Sequence, residues 1–326
     1  MVHGGNVQQA AQHYQLAVEE WLDLSTGINP TTYTNLSVSQ DAYSRLPYID
    51  HEFFSAAKQY YNCEYLSIVA GSQQAIQLLP LLRERSKVAV LSPTYCEHVA
   101  SWQRAGHDVT EINNLDNVDD YDVVIVTNPN NPTGEIIDTS TLLQQHKKLQ
   151  THGGWLIVDE AFADCSPEIS LTQQANCPGL IILRSIGKFF GLAGLRAGFV
   201  IAEESLVKRL SELVGCWPLS GATMQITRQC LQDTHWQNEM RVQLLDQSKA
   251  LKDLLVKYGL PSKGQTALFN WVVHDEAADI HDALAGMGIL VRYFPENTFS
   301  KSSLRFGLPG TKENYHRLQH ALELIL

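Results

Sequence analysis

At 326 residues, 44% hydrophobic and 18% charged, the chain has the composition of a globular protein with room for one large core and a smaller companion domain. A formal net charge of -11 and a pI near 5.5 exclude the broad basic face that nucleic-acid binding needs, so no nucleic-acid partner is expected and an anionic ligand must be held by local positive features. The six cysteines form no CxxC pair and read as reduced core thiols; the start "MVHGGNVQQAAQ" has no apolar signal core and no later run approaches spanning length, so the expectation is a cytoplasmic protein with no membrane partner.

The first thirty-odd residues hold a short helical stretch and the segment "LDLSTGINP", which periodicity does not place. Beyond them, short β-rich runs alternate with helical stretches: "LSIVA", a helix over Gln73 to Glu84, "KVAVLS", a helix over Thr94 to Arg104, "DVVIVTN" and a helix over Ser140 to His152. "WLIVDEAF", "GLIILRSI" and "AGFVIA" follow, with the continuous hydrophobicity of strands buried on both faces. The pattern predicts an α/β fold with a mostly parallel sheet of about seven strands. Ser205 to Tyr258 reads as mostly helical, and "FNWVV", "LVRYF" and "SSLRFGL" as short strands of a smaller α/β domain. The expected boundaries are a large domain over 36–215 and a small one from 1–35 and 216–326.

Ligands of open α/β sheets collect beyond the carboxyl ends of the strands. After "LSIVA" comes "GSQQAI", which offers helix N-terminal N–H groups to a phosphate, or a plain cap with Ser72 as the capping residue. After "DVVIVT" comes "NPNNPTG", a turn-forming cluster from which Asn131 can reach a cleft; after "WLIV", Asp159 closes a buried strand, where a carboxylate needs a cation or strong donor. A metal is a poor candidate, because only the adjacent Glu160 is acidic. Lys188, in "SIGKFFGLAGLRAG", is a charged amine among glycines and aromatics. One set of roles unites these residues. Pyridoxal 5'-phosphate needs a lysine for its Schiff base, an acid against its ring nitrogen and a phosphate cradle.

The ordered motifs G-S-Q (from Gly71), P-T-Y (from Pro93), N-N-P-T-G (from Asn130), D-E-A-F (from Asp159), S-x-G-K (from Ser185) and L-R-x-G (from Leu195) resemble the class I/II aminotransferases of PLP fold type I, over essentially the whole chain. The resemblance implies an aspartate aminotransferase-like fold and a homodimer. It also implies that Ser72, Gln73, Ser185 and Arg196 hold the cofactor phosphate, that Tyr95 stacks on the ring, that Asn131 bonds its hydroxyl, and that Asp159 meets its nitrogen. Arg305, in "LRFG", matches the arginine that clamps the substrate carboxylate, a bidentate task.

Within that family, "HGGN" (His3 to Asn6), "LDLSTGINP", "RLP" and "GKFFGLAGLRAG" resemble the threonine-phosphate decarboxylase branch of cobalamin biosynthesis, related to the histidinol-phosphate aminotransferases. That implies a phosphorylated amino acid as substrate, its phosphate met by His3, Gly4 and Asn29, with Arg292 as a further ligand. Taken alone, "HGG" reads as a mobile tail. Phe162 stands where many aminotransferases carry a tyrosine; Leu46 aligns with a tyrosine that reaches across the dimer, with Tyr48 out of register. His316 and His320 share a helix face but have no third metal ligand, and no metal is expected. The expected reaction is decarboxylation with Lys188 and Asp159 as catalytic residues; transamination of a substrate such as histidinol phosphate is the alternative.

Overall fold

The computed structural model describes residues 3–48, 51–296 and 301–326. The chain divides into a large unit, Thr32–Asn131 with Ile136–Asn238, and a small unit made of the segment ending at Thr31, Pro132–Glu135, and Glu239–Leu326.

After β1 (Leu22–Leu24) of the small unit, the large unit carries β2 (Leu66–Val69), β3 (Lys87–Leu91), β4 (Asp108–Ile112), β5 (Val123–Thr127), β6 (Trp155–Asp159), β7 (Leu180–Ser185) and β8 (Gly198–Ile201), in sheet order β2-β8-β7-β6-β5-β3-β4. Pairing is antiparallel at both sides of β8 and parallel from β7 to β4. Every residue of β5, β6, β7 and β8 is buried, which is why these segments are written mostly in Val, Ile, Leu and Phe, with the polar residues at their carboxyl ends. Val88, Val90, Ile125, Ile157, Leu183 and Val200 pack with Trp102, Leu206 and Leu210 in one core. The seven-stranded, mostly parallel sheet matches the expected architecture. Its last strand, β4, is an edge strand of exposed and half-buried residues, so it lacks the apolar run that marks the others.

The helix expected over Gln73 to Glu84 stops early. It runs Ser72–Leu78 and tightens into a 3-10 turn at Leu79–Leu82, because Pro80 has no N–H to continue the ladder. The helix Gly221–Gln232, which hydropathy groups with the smaller domain, is part of the large unit: it buries Met224, Ile226, Cys230 and Leu231, and the Gln229 and Gln225 side chains accept the N–H groups of Ser37 and Ser39 at 2.9 Å. Cys165 and Cys230 are core residues; Cys63 and Cys96 are half-buried, and Cys177 and Cys216 are exposed.

In the small unit, β9 (Ser262–Gln265), β10 (Phe269–Val273), β11 (Ile289–Phe294) and β12 (Ser303–Gly307) join β1 in the order β1-β11-β12-β10-β9. The "LDL" of "LDLSTGINP" is therefore a strand, parallel to β11 from Leu22 opposite Ile289 to Leu24 opposite Val291. β11 and β12 run antiparallel and set Arg292 directly opposite Arg305. No helix among the described residues is long and apolar enough to cross a membrane.

Candidate active site

Asp159 ends β6 with 4% of its surface exposed. Both carboxylate oxygens have donors: Oδ1 accepts the Ala161 N–H at 3.0 Å, and Oδ2 lies 3.0 Å from Nε2 of His98, itself 1% exposed in the first turn of the helix Glu97–Arg104. The burial of Asp159 is thus compensated, and its position fixed, by a histidine the sequence reading did not single out. The signal was present in the spacing of Tyr95 and His98 just beyond β3: Tyr95 lies just before the helix and His98 in its first turn, with ring centroids 6.3 Å apart. Burial, aided by Glu97, Cys96 and Asp159, pushes the Tyr95 phenol up to about 12, so it stays protonated and donates to Gln73 Oε1 at 3.2 Å. Gln73 in turn donates to Glu97 Oε2 at 2.8 Å, so its side chain orients Tyr95, and its backbone N–H is what remains for a phosphate at the helix start.

Around that helix start the backbone comes close enough to exclude side chains. Gly71, at φ +74°, would set a Cβ 2.7 Å from Nη2 of Arg196, and a Cβ on Gly198 would lie 2.8 Å from both the Ser72 nitrogen and the Arg184 carbonyl oxygen. Gly71 is the cap residue, so Ser72 is the first helical residue and not the capping one. Arg196 holds a left-handed backbone, φ 55°, rare for a residue with a side chain, and so points its guanidinium at Gly71. Ser185 pairs with Gly198 across β7 and β8, and its Oγ accepts the Gly187 N–H at 3.3 Å. Three residues on, Lys188 is half-buried with Nζ 5.4 Å from the centroid of the buried Phe162 ring.

The three asparagines of "NPNNPTG" divide their work. Asn128, fully buried, staples the loop through Ile137, accepting its N–H at 2.8 Å and donating to its carbonyl at 3.1 Å. Asn130 donates to the Pro93 carbonyl at 2.8 Å, tying the loop to the end of β3, and Asn131 follows, half-buried. Glu160 turns away from Asp159, as neighbours on an extended chain do, and enters a buried network. Arg184 on β7 donates to Glu160 Oε2 at 2.6 Å and to Asp164, and stacks 4.9 Å over the Tyr61 ring. Burial pushes the Glu160 carboxyl up against Arg184, while Asp164 and Glu160 raise the guanidinium despite its own desolvation. The network clamps β6 to β7, the two strands that present Asp159 and Ser185; removing the arginine alone would strand two buried carboxylates, at a cost of about 3–5 kcal/mol.

In the small unit, Arg305 is 6% exposed and donates to the Ser25 carbonyl at 2.7 Å, above the Phe269 ring. Burial pushes its guanidinium down to about 9, with Arg292 adding to the effect and Asp23 opposing it. Asn29 is 1% exposed and its Oδ1 accepts the Thr31 N–H at 2.8 Å, closing the "INP" turn. The "HGGN" segment is held against Ser25, just past β1. Gly4 has no room for a side chain, since a Cβ would sit 2.5 Å from the Ser25 carbonyl oxygen; Gly5 takes φ +86° and donates to Ser25 Oγ at 2.7 Å; Asn6 caps the helix Val7–Tyr14. These contacts replace the mobile tail with a docked segment that presents the exposed His3.

The family model for aminotransferase class I and II matches residues 19–322. The chain belongs to the class I and II aminotransferase family. Within it, the chain is 44% identical to a threonine-phosphate decarboxylase of Pseudomonas aeruginosa, across 98% of this chain and 96% of the relative, and 38% identical to one from a Sinorhizobium species, across 99% and 97%. The crystal structure of histidinol-phosphate aminotransferase from Sinorhizobium meliloti in complex with pyridoxal-5'-phosphate superposes with a TM-score of 0.83, at 16% identity, over 100% of this chain and 99% of that one, and establishes the shared fold.

The large unit's residues fit the cofactor of this aminotransferase family. The close approach of Gly71, Ser72, Gly198 and Arg196 forms a cradle of N–H and guanidinium donors that any Cβ would fill. Lys188 supplies an amine, and Asp159 a buried carboxylate with a fixed direction.

Proposed function

We propose that the protein is a pyridoxal 5'-phosphate-dependent carboxy-lyase that converts L-threonine O-3-phosphate to (R)-1-amino-2-propanol O-2-phosphate and CO2, for the aminopropanol arm of cobalamin. The observation that carries this reading is the small unit's cross-strand pair Arg292 and Arg305 beside the docked "HGG" segment, a set of donors suited to a substrate with two anionic ends. The full-length similarity to threonine-phosphate decarboxylases supports the choice of decarboxylation over transamination.

When bound, pyridoxal phosphate supplies an electron-accepting ring for the pair released as the Cα–carboxylate bond breaks. The chain's own residues divide the remaining work. Ser72, the Gln73 N–H, Ser185 and Arg196 would hold the cofactor's phosphate, Tyr95 would cover its ring, Asn131 would meet its hydroxyl, and Lys188 would hold its aldehyde carbon until the substrate's amine takes its place there and frees Nζ. Asp159, braced by His98, keeps a proton on the ring nitrogen. Arg305 binds the substrate carboxylate; an anion there offsets the burial and the Arg292 repulsion that weigh on its charge. His3, Gly4, Asn29 and Arg292 meet the substrate phosphate. After CO2 leaves, Lys188 Nζ returns a proton to Cα, so the carboxyl group is replaced by hydrogen and no oxidant is consumed.

We also propose a homodimer. Leu46 and Tyr48 are 69% and 84% exposed beside a groove of about 170 Å³ lined by Pro47, Phe53 and Met224, an apolar surface suited to a second copy.

The substrate assignment has a direct test. L-Threonine, which lacks the phosphate, should be processed with kcat/KM lower by at least about three orders of magnitude, since several charge-assisted hydrogen bonds are lost together. Comparable efficiency with both substrates would refute a phosphorylated substrate.

A further inference from the structure

Ser25, one residue past β1 and 1% exposed, bonds in two directions at once. Its hydroxyl donates to Asp23 Oδ1 at 2.6 Å and accepts the Gly5 N–H at 2.7 Å, while its own N–H donates to the same Asp23 oxygen at 2.9 Å. Its carbonyl oxygen, on the main chain, accepts from Arg305 Nη2 at 2.7 Å. One residue therefore holds the N-terminal segment by its side chain and the arginine by its backbone.

We infer that Ser25, oriented by Asp23, is a positioning residue that docks the His3–Gly5 segment as the phosphate-binding end of the substrate site, independently of the carboxylate clamp. The inference rests on the reading that His3 and Gly4 meet the substrate phosphate. A serine hydroxyl has one proton. Asp23 takes it, which leaves a lone pair directed at the Gly5 N–H; without Asp23 the hydroxyl can turn and donate elsewhere. At φ +86° the chain reverses at Gly5, so its N–H has one direction in which to be satisfied, and at Gly4 the backbone rests on the Ser25 carbonyl with no space for a side chain. The bond from Arg305 goes to a backbone oxygen and survives any substitution that leaves the strand in place. Side-chain changes at this position thus separate the two ends of the substrate.

Ser25→Ala holoenzyme should show a KM for threonine phosphate, and an inhibition constant for inorganic phosphate, each raised about tenfold, the value of one buried hydrogen bond, with kcat changed less than about threefold. Inhibition by L-threonine, which offers a carboxylate and no phosphate, should stay within about twofold. A merely structural role would weaken both ligands together, and that outcome overturns the inference. Deuterium exchange of the N-terminal peptide is a readout that needs no turnover: it should quicken about tenfold in Ser25→Ala and Asp23→Ala, and stay slow in Asp23→Asn, which keeps an acceptor at Oδ1. Unchanged exchange in Ser25→Ala overturns the docking role itself. Faster exchange with unaltered phosphate affinity overturns the assignment of the segment to phosphate, and with it the substrate reading, while the docking contact stands.

Discussion

Lys188→Ala should lose turnover by more than about four orders of magnitude and the visible absorbance of the lysine-bound cofactor along with it. The expectation follows from the placement of amines in the large unit. Lys188 is half-buried just beyond β7, against Phe162, whereas Lys58, Lys87, Lys147 and Lys208 are exposed at the surface and the half-buried Lys148 lies in the last turn of the helix Thr139–Gln150, which leads into the start of β6. None of those five can replace it at the strand ends that carry Asp159 and Ser185. Absorbance spectra and CO2 release from the purified variant check both parts; full activity in the variant would end the cofactor assignment.

Asp159→Asn should keep the fold and lose at least about two orders of magnitude in kcat, the scale of losing a preorganised electrostatic partner. The amide is isosteric, can still accept the Ala161 N–H and stays within reach of His98, so the backbone after β6 has no reason to move. What it lacks is the charge that keeps a proton on the ring nitrogen. His98→Ala acts one step removed: the carboxylate stays but loses its brace, and the loss should be about tenfold with an altered pH profile. Steady-state kinetics on the two variants, with thermal melts to show that both fold, decide the point. An unchanged rate in Asp159→Asn would mean that another group protonates the ring.

The large sheet was legible in the sequence wherever burial on both faces forced a continuous apolar run, as in "DVVIVT", "WLIV" and "GLIIL". It was illegible where burial was absent. β4 lies at the edge with charged side chains in water, and β1 is three residues long, its identity set by pairing with β11, more than two hundred residues away. The strand-end motifs were legible because turn glycines and caps are local chemistry: Gly71 caps the helix just past β2, and Asp159 and Ser185 close β6 and β7. The residues behind them were hidden. His98 matters through a carboxylate 61 positions on, and Arg184 through Glu160 and Asp164, 24 and 20 positions away. Neither pairing follows from spacing. "HGGN" was opaque for the same reason: taken alone its two glycines read as a mobile tail until Ser25 is seen against them.

The central claim is decarboxylation of a phosphorylated amino acid, and the most direct measurement is incubation of the holoenzyme with L-threonine O-3-phosphate labelled at the carboxyl carbon, in deuterated water, with no oxo acid added. The account predicts one labelled CO2 for each substrate consumed, aminopropanol phosphate carrying a single deuterium at the former Cα, and continued turnover without an amino-group acceptor. Turnover that requires an added oxo acid and leaves the carboxyl label in the organic product would contradict it and identify the protein as a transaminase.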